Sequence, residues 1–101
     1  MQVTFGFQAT FTTHPGKGEE VVRLLLDSPS LPSEDCVVFL INRSATDPDL
    51  VQVTEGWTSQ EAHARFFGTE PAQALVAALR PLVAEQRPQV DLVPIGGKAA
   101  F

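Results

Sequence analysis

Two residues in the middle of the sequence could do chemistry together: Trp57, the only tryptophan, and His63, one of two histidines. A histidine can accept or donate a proton near neutral pH without a large shift of its pKa. A tryptophan offers a flat apolar face and one indole N–H donor, which suits the wall of a site for an aromatic ring. The two residues are therefore the first candidates for a functional site. The alternatives are a tryptophan buried in the core and a half-exposed histidine that packs on Phe67.

The charge and composition of the chain exclude several classes of partner. The net charge is −5, and the seven basic residues are scattered along the sequence. Nucleic acids and anionic membranes both require clustered lysine and arginine, which this sequence lacks. A small neutral or weakly polar organic ligand is therefore the compatible partner.

Spacings typical of metal and phosphate sites are missing from the sequence. The two histidines are far apart, and no HxH, HExxH or CxxC motif occurs. The turn Gly16-Lys17-Gly18 has no serine or threonine after its Gly-Lys pair, as a phosphate-binding loop would have. The single cysteine, Cys36, opens an apolar run and predicts a small buried side chain. We therefore expect a site without a metal ion and without a thiol nucleophile.

Length and hydropathy predict one small domain. At 101 residues the chain is too short for two cores, so residues 1–101 are expected to form a single domain. No apolar run approaches the roughly 18 residues of a membrane span. The segment Met1-Gln2-Val3-Thr4 lacks the charged and apolar regions of a signal peptide, and we expect a cytoplasmic protein.

The elements that must position Trp57 and His63 are indicated by periodicity and by capping residues. Residues 2–12 alternate between apolar and polar side chains, which predicts a strand with one aromatic face. Thr58 and Glu61 form a capping-box pattern, which predicts the start of the helix that carries His63. The other predicted elements are a helix to about residue 27, strands over 36–43 and 50–57, helices over 59–67 and from 70 to about Pro81, and a strand over 90–95.

The order β-α-β-β-α-α-β predicts an α+β, ferredoxin-like fold. The usual form of this fold is a four-stranded antiparallel sheet with the helices on one face. Valine and leucine occur on both sides of several predicted strands, so the second face of the sheet must also be covered. A second copy of the chain, sheet against sheet, would cover it. We therefore expect a homodimer, and the tail 96–101 could cross onto the partner with Phe101 as an anchor.

Four segments of the sequence together resemble a known family. They are the aromatic alternating strand, the Pro15-Gly16-Lys17 turn before an acidic helix, Cys36 at the start of a strand, and the run Glu55-x-Trp57-Thr58-Ser59-x-Glu61-Ala62-His63. In this order they resemble the antibiotic biosynthesis monooxygenase (ABM) family of small dimeric α+β barrel proteins, over nearly the whole chain. The resemblance implies a single ABM-like domain that oxygenates a small aromatic or quinol-type compound without metal or flavin.

Roles for individual residues follow from the same resemblance. The candidate catalytic residues are His63 as base or donor, Trp57 as a wall, and Asn42 with Arg43 as donors that polarise a quinone-like oxygen. The residues expected to line the substrate pocket are Phe7, Gln8, Phe39, Glu55, Phe66 and Phe67. Asn42 and Arg43 could instead end a hairpin, with Arg43 in solvent or paired to Asp47. Gln8 and Glu55 could instead join hydrogen bonds between subunits.

The sequence departs from the family at positions that bear on activity. It contains no tyrosine, so no phenol is available as a hydrogen-bond donor. No histidine lies over 73–79, where haem-degrading relatives bind iron, and Phe66 stands in place of their ring-distorting tryptophan. Haem is therefore not expected.

Two other functions are compatible with the same resemblance. The main alternative is a non-catalytic homodimer that binds a small ligand or acts as an accessory protein, with its pocket filled by its own phenylalanine side chains. An isomerase of small phosphorylated or keto compounds would require a positive pocket, with Arg43 and Arg65 converging on one cavity.

Overall fold

The computed structural model describes residues 2–101 and shows a mixed α+β architecture with an antiparallel sheet. The elements in chain order are β1 (Phe5–Thr13), α1 (Gly18–Leu26), β2 (Cys36–Arg43), β3 (Leu50–Trp57), α2 (Gln60–Phe67), α3 (Glu70–Leu79), a 3-10 turn (Arg80–Leu82), β4 (Val83–Gln86) and β5 (Val90–Leu92). The strand order is β2-β3-β1-β4, and β5 also pairs with β1. This is the ferredoxin-like fold that the order of predicted elements indicated.

The last part of the sheet differs from the predicted single fourth strand. Two short strands take its place on the same side of β1: β4 pairs with Phe11–Thr13, and β5 pairs with Gly6–Gln8. Between them lies Arg87-Pro88-Gln89, where the proline has no N–H to give to a ladder. The described sheet therefore has five strands instead of four. The helix before them ends at Leu79, because Pro81 cannot continue it, as predicted.

The core lies between α1 and the middle of the sheet. Val21 and Leu25 of α1 pack with Val51 and Val53 of β3, and Leu82 completes the cluster. Each such side chain contributes about 1.5–3 kcal/mol when it is removed from water. This cluster fixes α1 on the sheet and leaves the far end of the same face to α2 and α3.

The register of the central strands decides which side chains share a face. Phe7 of β1 lies opposite Glu55 of β3, and Glu55 lies opposite Phe39 of β2. Because side chains alternate along a strand, these three residues lie on one face together with Trp57. This is the face covered by the helices. The predicted aromatic face of β1 is therefore the inner face of the sheet.

A pair of glycines lies on the opposite face, near the start of β1. Gly6 and Gly56 are directly paired across the strands. A Cβ on Gly6 would approach Pro94 Cγ to 2.9 Å, and one on Gly56 would approach Val38 Cβ to 3.1 Å. The absence of side chains here lets Pro94 lie over the sheet. The C-terminal tail thus crosses this end of the outer face.

The turn before α1 is closed by the hairpin between β2 and β3. The Asp49 carboxylate accepts hydrogen bonds from the backbone N–H groups of Gly16 and Gly18, each at 3.0 Å. These hydrogen bonds lower the pKa of Asp49. Gly18 lies so close to this hairpin that a Cβ there would collide with the carbonyl oxygen of Pro48. None of the helices formed by residues 2–101 is both long and apolar enough to span a membrane.

Candidate functional site

A cavity of about 510 Å³ lies between the inner face of the sheet and helices α2 and α3. Its walls are mostly apolar and include Phe7, Phe39, Val53, His63, Phe66 and Phe67. The volume falls within the roughly 300–1,000 Å³ typical of small-molecule sites. The cavity is partly open to solvent, and its interior is not filled by the phenylalanine side chains around it.

Glu55 is the acidic group at the aromatic end of this cavity. It lies on β3 between Phe7 and Phe39, and it is half-buried. The indole Nε1 of Trp57 donates a hydrogen bond of 2.9 Å to Glu55 Oε1. Burial raises the pKa of Glu55 to about 7, because a carboxylate loses hydration there, and the hydrogen bond from Trp57 partly opposes this rise. A carboxyl group with such a pKa can exchange a proton with a ligand near neutral pH.

Trp57 supports the cavity from behind. Its side chain is fully buried and does not line the cavity surface. Its ring centroid lies 5.0 Å from that of Phe66 and 5.1 Å from that of His63. Trp57 therefore orients two cavity residues, Glu55 by a hydrogen bond and His63 by an edge contact, instead of presenting its own face to a ligand.

His63 lines the cavity within a group of aromatic rings. Its ring centroid lies 5.0 Å from Phe7, 5.7 Å from Phe5 and 5.9 Å from Phe67. The contact with Phe67 matches the packing that its i+4 spacing suggested. Burial among apolar rings lowers the pKa of His63, because the charged imidazolium is poorly hydrated there. The imidazole is therefore neutral at physiological pH and can act as a hydrogen-bond donor.

The joint between β3 and α2 places His63 beside Trp57. Ser59 caps α2, and its hydroxyl accepts a hydrogen bond from the Ala62 N–H at 3.0 Å. The prediction that Thr58 caps this helix is wrong by one residue. The Thr58 hydroxyl instead donates a 2.7 Å hydrogen bond to Asp35 Oδ1. Thr58 therefore ties the start of the helix to the loop before β2, a contact that no local sequence pattern reveals.

The structure brings together most of the predicted site residues. Those that line the cavity are Phe7, Phe39, Glu55, His63, Phe66 and Phe67. Asn42 and Arg43 do not line it; they lie at a second, smaller pocket together with Gln52. Gln8 is half-buried and does not line the cavity either. It lies on the outer face of the sheet, because it follows Phe7 in a strand whose side chains alternate.

Several polar residues at the other end of the cavity were not predicted. They are Ser28, Ser30, Arg80, Glu85, Gln86 and Gln89. Ser28 and Ser30 are buried and hydrogen-bonded to each other at 3.0 Å. In the sequence they form part of a loop rich in serine and proline, which carries no signal of a ligand site. Arg65 is exposed on α2 and lines neither of the two pockets, so it does not converge with Arg43.

Cys36 and the acidic residues do not form a metal site in residues 2–101. No group of three or more histidine, cysteine, aspartate or glutamate side chains is close enough to hold an ion there. Burial, with a smaller effect of the Glu55 charge, raises the pKa of Cys36 to about 12. The thiol is therefore protonated and unreactive.

Comparison with known proteins gives one family and many similar folds. The sequence pattern of the family described as antibiotic biosynthesis monooxygenase matches residues 4–78. A candidate antibiotic biosynthesis monooxygenase from Chloroflexus aurantiacus J-10-fl is 26% identical, with a TM-score of 0.84 over 95% of this chain and 97% of that one. A second from Caulobacter crescentus CB15 is also 26% identical, with a TM-score of 0.72 over 96% and 92% of the two chains. The protein PA3566 from Pseudomonas aeruginosa is 22% identical, with a TM-score of 0.80 over 95% and 98%. No curated protein sequence matches significantly.

Proposed function

Because the chain belongs to the antibiotic biosynthesis monooxygenase family, we propose that its cavity binds a small aromatic, quinol-type compound and oxygenates it without metal or flavin. The observation that carries the proposal is the position of Glu55. Its carboxyl group, with a pKa of about 7, lies in a cavity walled by Phe7, Phe39 and His63. Aromatic walls bind the rings of such a compound, and a carboxylate of this basicity can remove its acidic proton.

The reaction needs only a proton acceptor, an electron-rich substrate and O₂. For a substrate with a CH₂ group between aromatic rings, as in an anthrone, Glu55 takes one proton from that carbon. The resulting carbanion, delocalised into the rings, passes an electron to O₂, and the radical pair combines to a peroxide at the same carbon. Loss of water then leaves a carbonyl group. One oxygen atom of O₂ stays in the product and the other leaves as water, so the four-electron oxidation of the substrate balances the reduction of O₂.

The other cavity residues have supporting roles in this proposal. Neutral His63 donates a hydrogen bond to the oxygen on which negative charge develops, which stabilises the anion. Trp57 holds the Glu55 carboxyl in place through its 2.9 Å hydrogen bond. The phenylalanine side chains exclude water from the anion and from the peroxide.

The test is oxygen uptake by the purified protein against a panel of anthrones, quinols and catechols. We expect protein-dependent uptake above the rate of autoxidation, with one O₂ consumed per molecule of product. Uptake should be lost in Glu55→Gln and kept in Glu61→Gln, which makes the same chemical change at an exposed position of α2. Absence of uptake across the panel, or equal rates in the two variants, would contradict the proposal.

A non-catalytic ligand-binding protein is the second candidate, and the apolar lining of the cavity favours it equally. Phe7, Phe39 and Phe66 would hold a ring compound whether or not it reacts. Binding of the panel compounds, measured by quenching of Trp57 fluorescence, without any oxygen uptake would identify this function.

We further propose that the protein is a homodimer formed through the outer faces of two sheets. Val38 and Leu40 on β2 lie on this face, and Val38 is 36% exposed. The tail that crosses the same face exposes Val93 by 74% and Ile95 by 93%. Apolar side chains exposed in this number along one surface are typical of an interface.

A further inference from the structure

The cavity between the sheet and the helices is elongated, and a small side chain lies midway along its floor. We propose that this residue, Ala9 of β1, determines the specificity of the cavity, because it leaves room for a compound of three fused rings in a row. The inference rests on the proposed function, since it names the class of ring compound that the same cavity takes. It concerns binding and does not require that the compound reacts.

The inner face of β1 forms the floor of the cavity. Phe7, Ala9 and Phe11 lie on this face because side chains alternate along a strand, and all three line the cavity. Phe7 and Phe11 are four residues apart, which is about 14 Å at about 3.4 Å per residue. A single ring is short against this length, whereas three fused rings in a row would occupy most of it. Phenylalanine at both ends favours a flat ring system over an alkyl chain.

Helix α3 forms a roof of similar length. Ala72, Leu75, Val76 and Leu79 all line the cavity. Their spacing of three and four residues puts them on one side of the helix. From Ala72 to Leu79 the helix rises by about 10 Å, at about 1.5 Å per residue. The cavity is therefore a slot that is longer than a single ring along both walls.

Ala9 keeps the two ends of this slot connected. It is directly paired with Val53 of β3 and is 6% exposed. A larger side chain at this position would project from the floor towards the helices and divide the slot between Phe7 and Phe11. The methyl group of Ala9 therefore decides how many rings fit in a row.

The two ends of the slot carry different polar residues. Glu55 lies opposite Phe7, and Gln86 of β4 lies opposite Phe11, so the register puts both on the inner face, where they line the cavity. Since neighbouring strands are about 4.8 Å apart, the two backbones lie roughly 17 Å from each other, a span that two side chains and a ligand of three rings cover together. Gln86 is exposed, and its amide can bind a hydroxyl or carbonyl oxygen on the outermost ring. A three-ring compound would thus be oriented with its polar end at Gln86 and the other end at Glu55.

The experiment is isothermal titration calorimetry of the full chain with phenol, a naphthol and a dihydroxyanthraquinone. We expect the affinity to rise about tenfold or more from one ring to three, because each further ring buries apolar surface. Ala9→Leu should lower the affinity for the three-ring compound about tenfold or more and leave that for phenol unchanged. Gln86→Ala should lower the affinity for the three-ring compound about fivefold, which corresponds to the loss of one hydrogen bond.

Two variants are the controls for bulk and for position. Ala9→Gly keeps the slot open, and Ala74→Leu adds the same bulk as Ala9→Leu on the exposed side of α3. Both should bind all three compounds as wild type does. Phenol binding also reports whether Ala9→Leu is folded. If that variant does not fold, Ala9→Val adds less bulk and should show a smaller loss in the same direction.

Three results would overturn the inference: equal affinities of wild type for phenol and the dihydroxyanthraquinone, equal losses in Ala9→Leu and Ala74→Leu, or tighter binding of decanol than of the three-ring compound. The outcome is separate from that of the proposed oxygenation. A preference for three rings without oxygen uptake contradicts the oxygenation alone. Uptake with one-ring quinols as fast as with anthrones contradicts the role of Ala9 alone.

Discussion

The hydrogen bond from Trp57 Nε1 to Glu55 Oε1, 2.9 Å long, links a fully buried indole to a carboxyl group that lines the cavity. The two residues are on the same strand and the same face, two positions apart, so the strand itself sets their separation. Trp57 is anchored by the rings of Phe66 and His63. The carboxyl group is therefore held by a rigid neighbour at the bottom of an aromatic site.

Replacing Glu55 by glutamine should lower kcat/KM for an oxygenated substrate by about 10²–10⁴, the usual contribution of a general base. In the wild-type protein kcat/KM should rise with pH and reach half its maximum near pH 7, because Glu55 accepts a proton only when ionised. Burial lowers the pKa of His63, so its imidazole is neutral at the pH where Glu55 ionises. The measurement is kcat/KM from pH 5 to 9. A flat profile in the wild-type protein would exclude Glu55 as the base.

The same carboxyl group should make stability depend on pH. Its pKa is about 7 in the folded protein, against 4.5 for an ordinary glutamate in water, so the folded state holds the proton more tightly. Its stabilising contribution is therefore complete below pH 4.5 and is lost as pH rises through 7. The loss is on the order of 3 kcal/mol. Urea unfolding at pH 5 and pH 8 should show a larger fall in the free energy of unfolding for wild type than for Glu55→Gln. Equal falls in the two proteins would contradict the raised pKa.

Replacing Trp57 by phenylalanine should raise the pKa of Glu55 further, since the indole hydrogen bond favours the charged carboxylate. The acid limb of the kcat/KM profile should move to higher pH, while the plateau at high pH is largely kept. Loss of the buried indole should also cost about 1–3 kcal/mol of stability. Phe66→Leu, which changes packing around Trp57 but keeps its N–H, is the control and should leave the limb in place. If the acid limb of the kcat/KM profile stays at the same pH in Trp57→Phe, the hydrogen bond does not affect the pKa of Glu55.

A single methyl group at Gly18 should destabilise the fold. The new Cβ would collide with the carbonyl oxygen of Pro48, and backbone on both sides would have to move. We expect Gly18→Ala to lower the free energy of unfolding by about 2–4 kcal/mol. Gly96→Ala is the matched control, because a Cβ at Gly96 has no neighbour within 4 Å. The measurement is urea denaturation of the two variants. Equal free energies of unfolding would mean that the hairpin moves away from the new Cβ without loss of stability.

Removing residues 96–101 should weaken the proposed homodimer. Phe101 is fully exposed in the single chain, and its ring would be buried only against a partner. Sedimentation velocity over a range of concentrations should show a larger monomer fraction for a chain ending at Ile95 than for the full chain. Phe101→Ala separates the anchor from the rest of the tail. A monomer fraction unaffected by either change would remove the tail from the interface.

How far the site could be predicted is best seen on the strands. Periodicity placed Phe7 on the aromatic face of β1, and the same rule sends its neighbour Gln8 to the outer face. Phe39 and Asn42 are three positions apart on β2, so they too must face opposite sides. Applying alternation to each strand would have separated Gln8 and Asn42 from the cavity. The family resemblance had grouped them by role instead of by face.

Other parts of the structure depend on contacts that no local pattern records. Thr58 has the spacing of a helix cap with Glu61, but its hydroxyl bonds to Asp35 from a distant loop, and Ser59 takes the cap. No strand was predicted over Val83–Gln86, a short and mostly polar segment just after Pro81, and it is extended where it pairs with β1. In each case tertiary contacts outweigh a weak local preference.

The break between β4 and β5 has a consequence for self-association at high concentration. A long, uninterrupted edge strand offers a row of free N–H and C=O groups on which other chains can assemble into fibrils. On this side of the sheet the edge is divided into pieces of four and three residues, with Pro88 between them. The opposite edge, β2, runs for eight residues, interrupted by a register shift between Cys36 and Val38. The edge formed by β4 and β5 is thus protected against fibril growth. If chains aggregate through a strand edge, we expect them to pair with β2.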